Sequence, residues 1–155
     1  MQEKEDFLRE QFIETLAGID PNTPPAWGKM NVQQMIEHMS DSFMIANGKD
    51  PKDCVTPAEQ IGRMQAFLMS EKPFRENTPN AQLPEDPLPL RYESVADSLG
   101  ELEMQVADFF DVFSEDKRKI ITNPFFGDLD YEKWVHLLYK HAWHHLRQFG
   151  VTQPA

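Results

Sequence analysis

Cysteine is almost missing from this chain. Cys54 stands alone, so no intramolecular disulfide can staple the fold, and such usage fits a reducing cytoplasm. No histidine lies near Cys54 in sequence, which leaves it a loop thiol rather than an activated nucleophile. Positive charge is scarce as well: 15 Lys and Arg face 26 Asp and Glu, a formal net charge of −11. That field repels phosphate backbones and no basic run offsets it, so nucleic acid is excluded as a partner. Long apolar runs are also lacking. Nothing approaches the roughly 18 residues that would span a bilayer, which excludes a membrane role. The N-terminal MQEKEDFLRE is acidic and amphipathic, not basic and then apolar, so no secretory signal is expected. No strand alternation, internal repeat or low-complexity tract is read anywhere in the sequence.

What is present is helical. At 155 residues with 40% hydrophobic content, residues 1–155 are expected to form a single domain around one core. From Glu3 to Ala17, the residues Phe7, Leu8, Phe12, Ile13 and Leu16 recur near helical spacing. Gly18 and the proline-rich PNTPPAW end that segment. Asn31 opens a second helix as its cap, with Gln34 as capping-box partner and Met30 and Met35 as a hydrophobic staple. Asn47-Gly48 is its natural stop. Thr56-Pro57-Ala58-Glu59 reads as cap, N1 proline and N3 glutamate, starting a short helix to Ser70. Glu71 to Glu93 holds five prolines and reads as a long loop or crossover. Ser94 starts another long helix striped by Leu99, Leu102, Val106, Phe109, Phe110 and Phe113. After a turn from Asn123 to Gly127, Asp130 caps the last helix, which runs to Phe149 with Gly150 as its stop. Four main helices and one short one predict an all-α bundle.

Four of the five histidines fall between positions 136 and 145. At about 100° per residue, His141 and His145 share the apolar stripe of Trp134, Leu138 and Phe149. His136, Lys140 and Arg147 fall on the opposite, polar face, and His144 lies between. A pair at i and i+4 points two imidazoles into one space, suited to a shared transition metal. A hydrogen-bonded core pair is the other account of the same spacing. His38 sits at the edge of the Met35, Met39, Phe43 stripe, where a side chain would line a bundle cavity. Asp41, three residues on, would ligate, orient a ligand or sit in solvent. Glu37 falls toward the polar side of its helix. Trp143 lies roughly 200° around the helix from His141. There it would either anchor a partner or pack on the N-terminal segment.

The segments WGKMNVQQMIEHM and NPFFGDLDYEKWVHLLYKHAWHHLRQFG resemble the DinB/YfiT-like superfamily of metal-binding helical bundles, in a branch known only as a domain of unknown function. In that family one His comes from the second helix, and an H-x3-H pair followed by Gln comes from the last. Here these positions are His38, His141, His145 and Gln148, and the resemblance is what selects His38 as the third ligand. It implies an up-down-down-up four-helix bundle, with the stretch from Gly48 to Glu93 as a long crossover containing one short extra helix. Leu146-Arg147 stands where relatives usually carry arginine-glycine, a departure that spares the ligands.

Three His nitrogens with an open fourth position would describe a catalytic site. The ion would be divalent, with Zn expected first and Ni, Fe or Mn also accepted by imidazole. Characterised relatives imply a metal-dependent transferase of low-molecular-weight thiols, or a hydrolase, with a small thiol as substrate and a homodimer as assembly. No catalytic base is named by the sequence; His144 beside the ligands is either that base or a surface side chain. The alternative is a non-catalytic bundle serving as an interaction or dimerisation module, supported by an apolar surplus and by Trp143.

Overall fold

The computed structural model describes residues 1–76 and 86–154. An N-terminal helical segment comprises α1 (Gln2–Asp6), a π-helical turn (Phe7–Gln11) and α2 (Phe12–Ala17). The wider turn brings Phe12 back beneath Phe7, with ring centroids 5.9 Å apart, so Phe7, Leu8 and Phe12 are all buried. Then follow α3 (Val32–Ala46), α4 (Ala58–Met69), α5 (Val95–Ser114), strands β1 (Ile121–Asn123) and β2 (Gly127–Leu129), and α6 (Tyr131–Gln148).

The helix starts follow local side-chain chemistry. Asn31 accepts from the Gln34 amide at 2.7 Å, and the Gln34 side chain accepts from the Asn31 amide at 2.9 Å, a complete capping box. Ser94 accepts from Asp97 N, and Asp130 from Lys133 N, at the starts of α5 and α6. Thr56 departs from expectation. Pro57 is the N-cap of α4 and makes no side-chain capping bond; the Thr56 hydroxyl instead donates to the Phe125 carbonyl at 2.7 Å, tying the crossover to the turn before α6.

α3 and α5 run parallel. Glu37 pairs with Ser98 near their beginnings, and Asn47 with Gln105 further along. Parallel neighbours require a long connection, here the crossover that contains α4. Residues 77–85 of that crossover lie outside the described residues. Phe43, Phe109, Phe113, Trp134, Leu102 and Met39 are fully buried between the helices, forming the bundle core.

The sequence reading held no strand, and the structure places an antiparallel pair between α5 and α6, registering Ile121 with Leu129 and Asn123 with Gly127. Three-residue strands are too short for alternation to register in a sequence. The side chain of Asn123 makes the turn by accepting from the amides of Phe125 and Phe126. Gly127 leaves it at φ +75°, a left-handed conformation suited to glycine.

Candidate metal centre

The three predicted histidines come together. His38 projects from α3, and His141 and His145 from successive turns of α6. His38 Nε2 lies 3.0 Å from His141 Nε2, which lies 2.9 Å from His145 Nε2. Among the described residues, these three side chains form the group that can hold a metal ion. Nitrogens about 2.1 Å from one ion are at most ~4.2 Å apart, so these separations fit a shared cation.

Protonation explains why a cation fits better than a proton. Gln148 Nε2 donates to the Trp27 carbonyl at 2.8 Å, which fixes the amide orientation and turns Oε1 toward His145. That oxygen lies 2.8 Å from His145 Nδ1, so Nδ1 carries the hydrogen and Nε2 is left as a lone pair. With His145 Nε2 bare, a single proton on His141 Nε2 cannot form a straight hydrogen bond to both neighbours. A proton on His38 instead leaves two lone pairs facing each other. A cation accepts all three lone pairs at once.

Burial keeps the rings neutral. It lowers the His38 pKa from the usual 6.5 to about 4, with the His144 charge adding to the effect. Burial and neighbouring imidazoles hold His141 and His145 well below the usual value. Neutral imidazole is the form that ligates a metal.

One aromatic ring packs on the cluster and another on its neighbour His144. Phe74, beyond α4, sets its ring edge-to-face to His141 and His144, at centroid distances of 6.3 and 5.9 Å. Trp27 lies 5.3 Å from His144. Neither Phe74 nor Trp27 was singled out as a site residue from sequence, because both reach the site from loops. His144 sits half-buried between them, its Nδ1 without a hydrogen-bond partner among the described residues, and burial lowers its pKa to about 4.

The remaining candidates are placed elsewhere. Asp41 pairs with Arg91 at 2.9 Å and is not part of the histidine group. His136 meets Lys4 on the other side of α6. Glu37, assigned by helical phase to the polar side, is only 5% exposed because the crossover covers it. Arg91 N and Tyr92 N donate to its carboxylate at 2.7 and 3.3 Å, and Ser98 Oγ at 2.8 Å. Trp143 is not an exposed anchor: it is 6% exposed and stacks on Phe7 at 5.0 Å.

A family model described as the DinB superfamily matches residues 7–149, spanning both His-bearing helices and the crossover between them. The chain belongs to the DinB superfamily. No curated protein and no solved structure gives a significant match. The DinB assignment accords with the all-α bundle. Three histidines that can hold a metal ion lie within the matched span. No helix among the described residues is long and apolar enough to cross a membrane.

Proposed function

We propose that this DinB-superfamily protein binds one divalent metal ion through His38, His141 and His145 and uses it in catalysis on a small molecule. The observation that carries the reading is the convergence of three Nε2 atoms, one of them held as a lone pair by Gln148. The donor set is three neutral nitrogens, which suits Zn first and also accepts Ni, Fe or Mn. When bound, the ion supplies Lewis-acid charge that lowers the pKa of a water or thiol beside it. The chain's own residues present the three lone pairs, while Gln148 keeps His145 in one tautomer. Phe74 packs edge-to-face on His141 beside the cluster.

The reaction class that follows is transfer of a low-molecular-weight thiol, or hydrolysis. The same reading takes residues 1–155 as one bundle domain acting in the cytoplasm, with a homodimer as its assembly. Burial of Trp143 removes the specific support for a purely interacting module.

The test is metal analysis of protein purified without a histidine tag, alongside His38→Ala and His141→Ala. Stoichiometric metal in the parent and its loss in both variants is expected. Unchanged metal content in the variants would overturn the assignment. A thiol-transfer and hydrolysis panel, run with and without chelator, then tests catalysis: turnover lost while the helical signal persists supports an enzyme.

A further inference from the structure

On the side of α6 away from the three histidines, a half-open cavity of about 50 Å³ lies between α1, the end of α4 and α6. Its walls are cationic in a chain whose net charge is −11. Lys4, Lys72, Lys140 and Arg147 line it, with Glu71 as the single carboxylate among the lining residues. Four cations against one carboxylate leave three positive charges in excess. Glu71 compensates weakly: it lies 3.8 Å from Lys4, with its side chain 92% exposed.

Three of the cations also have neutral partners. Lys4 Nζ, on a side chain only 16% exposed, lies 3.0 Å from His136 Nδ1. Lys140 Nζ donates to the Ser70 carbonyl at 2.8 Å and sits 4.7 Å from the centre of the Phe67 ring. Arg147 donates to Gln153 at 2.7 Å. Burial lowers the Lys140 pKa, and Lys4 and Arg147 push it the same way. The second observation is Trp143, which also lines the cavity. Its indole Nε1 is a buried donor without a partner among the described residues, and such a group lacks the hydrogen bond that would offset its desolvation.

We propose that this cavity is an anion site, separate from the histidine cluster, that takes a compact oxyanion of the phosphate type. The size agrees. A water needs roughly 10–15 Å³ of comparable space, so the cavity of about 50 Å³ holds about three to five oxygen-sized groups. Ammonium and guanidinium groups are donors, and a phosphate oxyanion is all acceptor, while the Trp143 indole lies in the same wall as a neighbouring reporter. The acidic exterior repels long polyanions and leaves the site to small ones.

The test follows the indole N–H resonance of Trp143 in the ¹⁵N-labelled full chain, assigned by its loss in Trp143→Phe. The probe is inorganic phosphate, with chloride at matched ionic strength as control. A saturable shift with phosphate alone is expected, weakened about tenfold in Lys140→Gln or in Arg147→Gln. The shift should persist in His38→Ala, which separates this site from metal-held phosphate. A methyl phosphate arm distinguishes sources: equal binding assigns the site to the phosphate group of a larger molecule, and exclusion of the ester to free phosphate. No saturable shift, an equal response to chloride, or an undiminished response in both cation variants would overturn the proposal.

Discussion

The Oε1 of Gln148 lies 2.8 Å from Nδ1 of His145, three residues back along α6, while its Nε2 is tied to the Trp27 carbonyl. One amide thus spans from a loop backbone to an imidazole. Only one amide orientation satisfies both bonds, so the loop that carries Trp27 and Gly28 selects the tautomer of a buried histidine. Gly28 adopts φ +76°, and a Cβ built there would approach Gln148 Nε2 to 3.2 Å. The close passage of this backbone belongs to the same arrangement.

Replacing Gln148 by Leu removes both bonds and leaves His145 free to take either tautomer. Metal affinity is expected to fall about 10–100-fold, the usual loss when the group orienting a ligand is removed. The helical signal should be kept. Gln148→Glu retains an acceptor for Nδ1–H but cannot donate to Trp27 as a carboxylate, so an intermediate loss is expected. Competition titration with a chromophoric chelator measures both variants, and parent-like affinity in Gln148→Leu would remove the tautomer argument.

A second consequence concerns the N-terminal segment. Tyr131 opens α6 and donates its hydroxyl to Glu5 at 2.6 Å. Burial, and then the Glu5 carboxylate, raise its pKa far above the usual 10. Because the folded value exceeds the unfolded one, this contribution is complete below the unfolded pKa and is lost as pH rises beyond it. Tyr131→Phe should therefore destabilise at neutral pH, by about 1 kcal/mol for one hydrogen bond. The variant should also show less alkaline loss of stability than the parent. Urea midpoints at neutral pH and at alkaline pH decide it; parallel curves for the two proteins would contradict the account.

Local chemistry made much of this legible in the sequence. The Asn31–Gln34 box, the Ser94 and Asp130 caps and the stop at Gly150 depend on neighbours within four residues, and each is found where its residues stand. The phase of α6 likewise separates His141 and His145 from His136. What escaped the sequence depends on distant chain. Glu37 has a polar-side phase, yet the backbone of Arg91 and Tyr92 closes over it. Thr56 has the identity of a cap, yet the Phe125 carbonyl takes its hydroxyl. Trp143 lies off the stripe shared by His141 and His145 but buries itself against Phe7, since α6 is covered on more than one side. His38 needed the family pattern to be chosen, because phase alone places it only at a stripe edge.

The hairpin before α6 offers a test of packing against α4. A Cβ at Gly127 would come within 3.2 and 3.3 Å of Ile61 side-chain carbons, at a φ of +75°. Gly127→Ala therefore meets strain from the backbone and from contact together, and a loss of at least about 1 kcal/mol is expected. Gly62, with nothing within 4 Å of its built Cβ and helical backbone, should respond oppositely, since alanine favours a helix interior by about 1 kcal/mol. Thermal denaturation of Gly127→Ala and Gly62→Ala measures this contrast; shifts of the same sign would contradict it.

Glu37 provides the sharpest test of how the crossover is held. Burial raises its pKa, but donation from Arg91 N, Ser98, Tyr92 N and Gln33 outweighs that effect, so the group stays below the usual carboxylate range. It is therefore a charged acceptor joining α3, α5 and the backbone at 91–92. In Glu37→Leu, two backbone amides lose their acceptor together while the Ser98 hydroxyl falls back on the Ser94 carbonyl, with an expected cost of about 3 kcal/mol. Glu37→Gln keeps one acceptor oxygen and should cost less. Because Arg91 also bridges Asp41 and Glu101, the local effect should extend along the segment. Hydrogen exchange at the Arg91 and Tyr92 amides should speed up more than exchange in the α5 core. A Glu37→Leu protein with parent-like stability and unchanged exchange at these two amides would show that the crossover is held by other contacts.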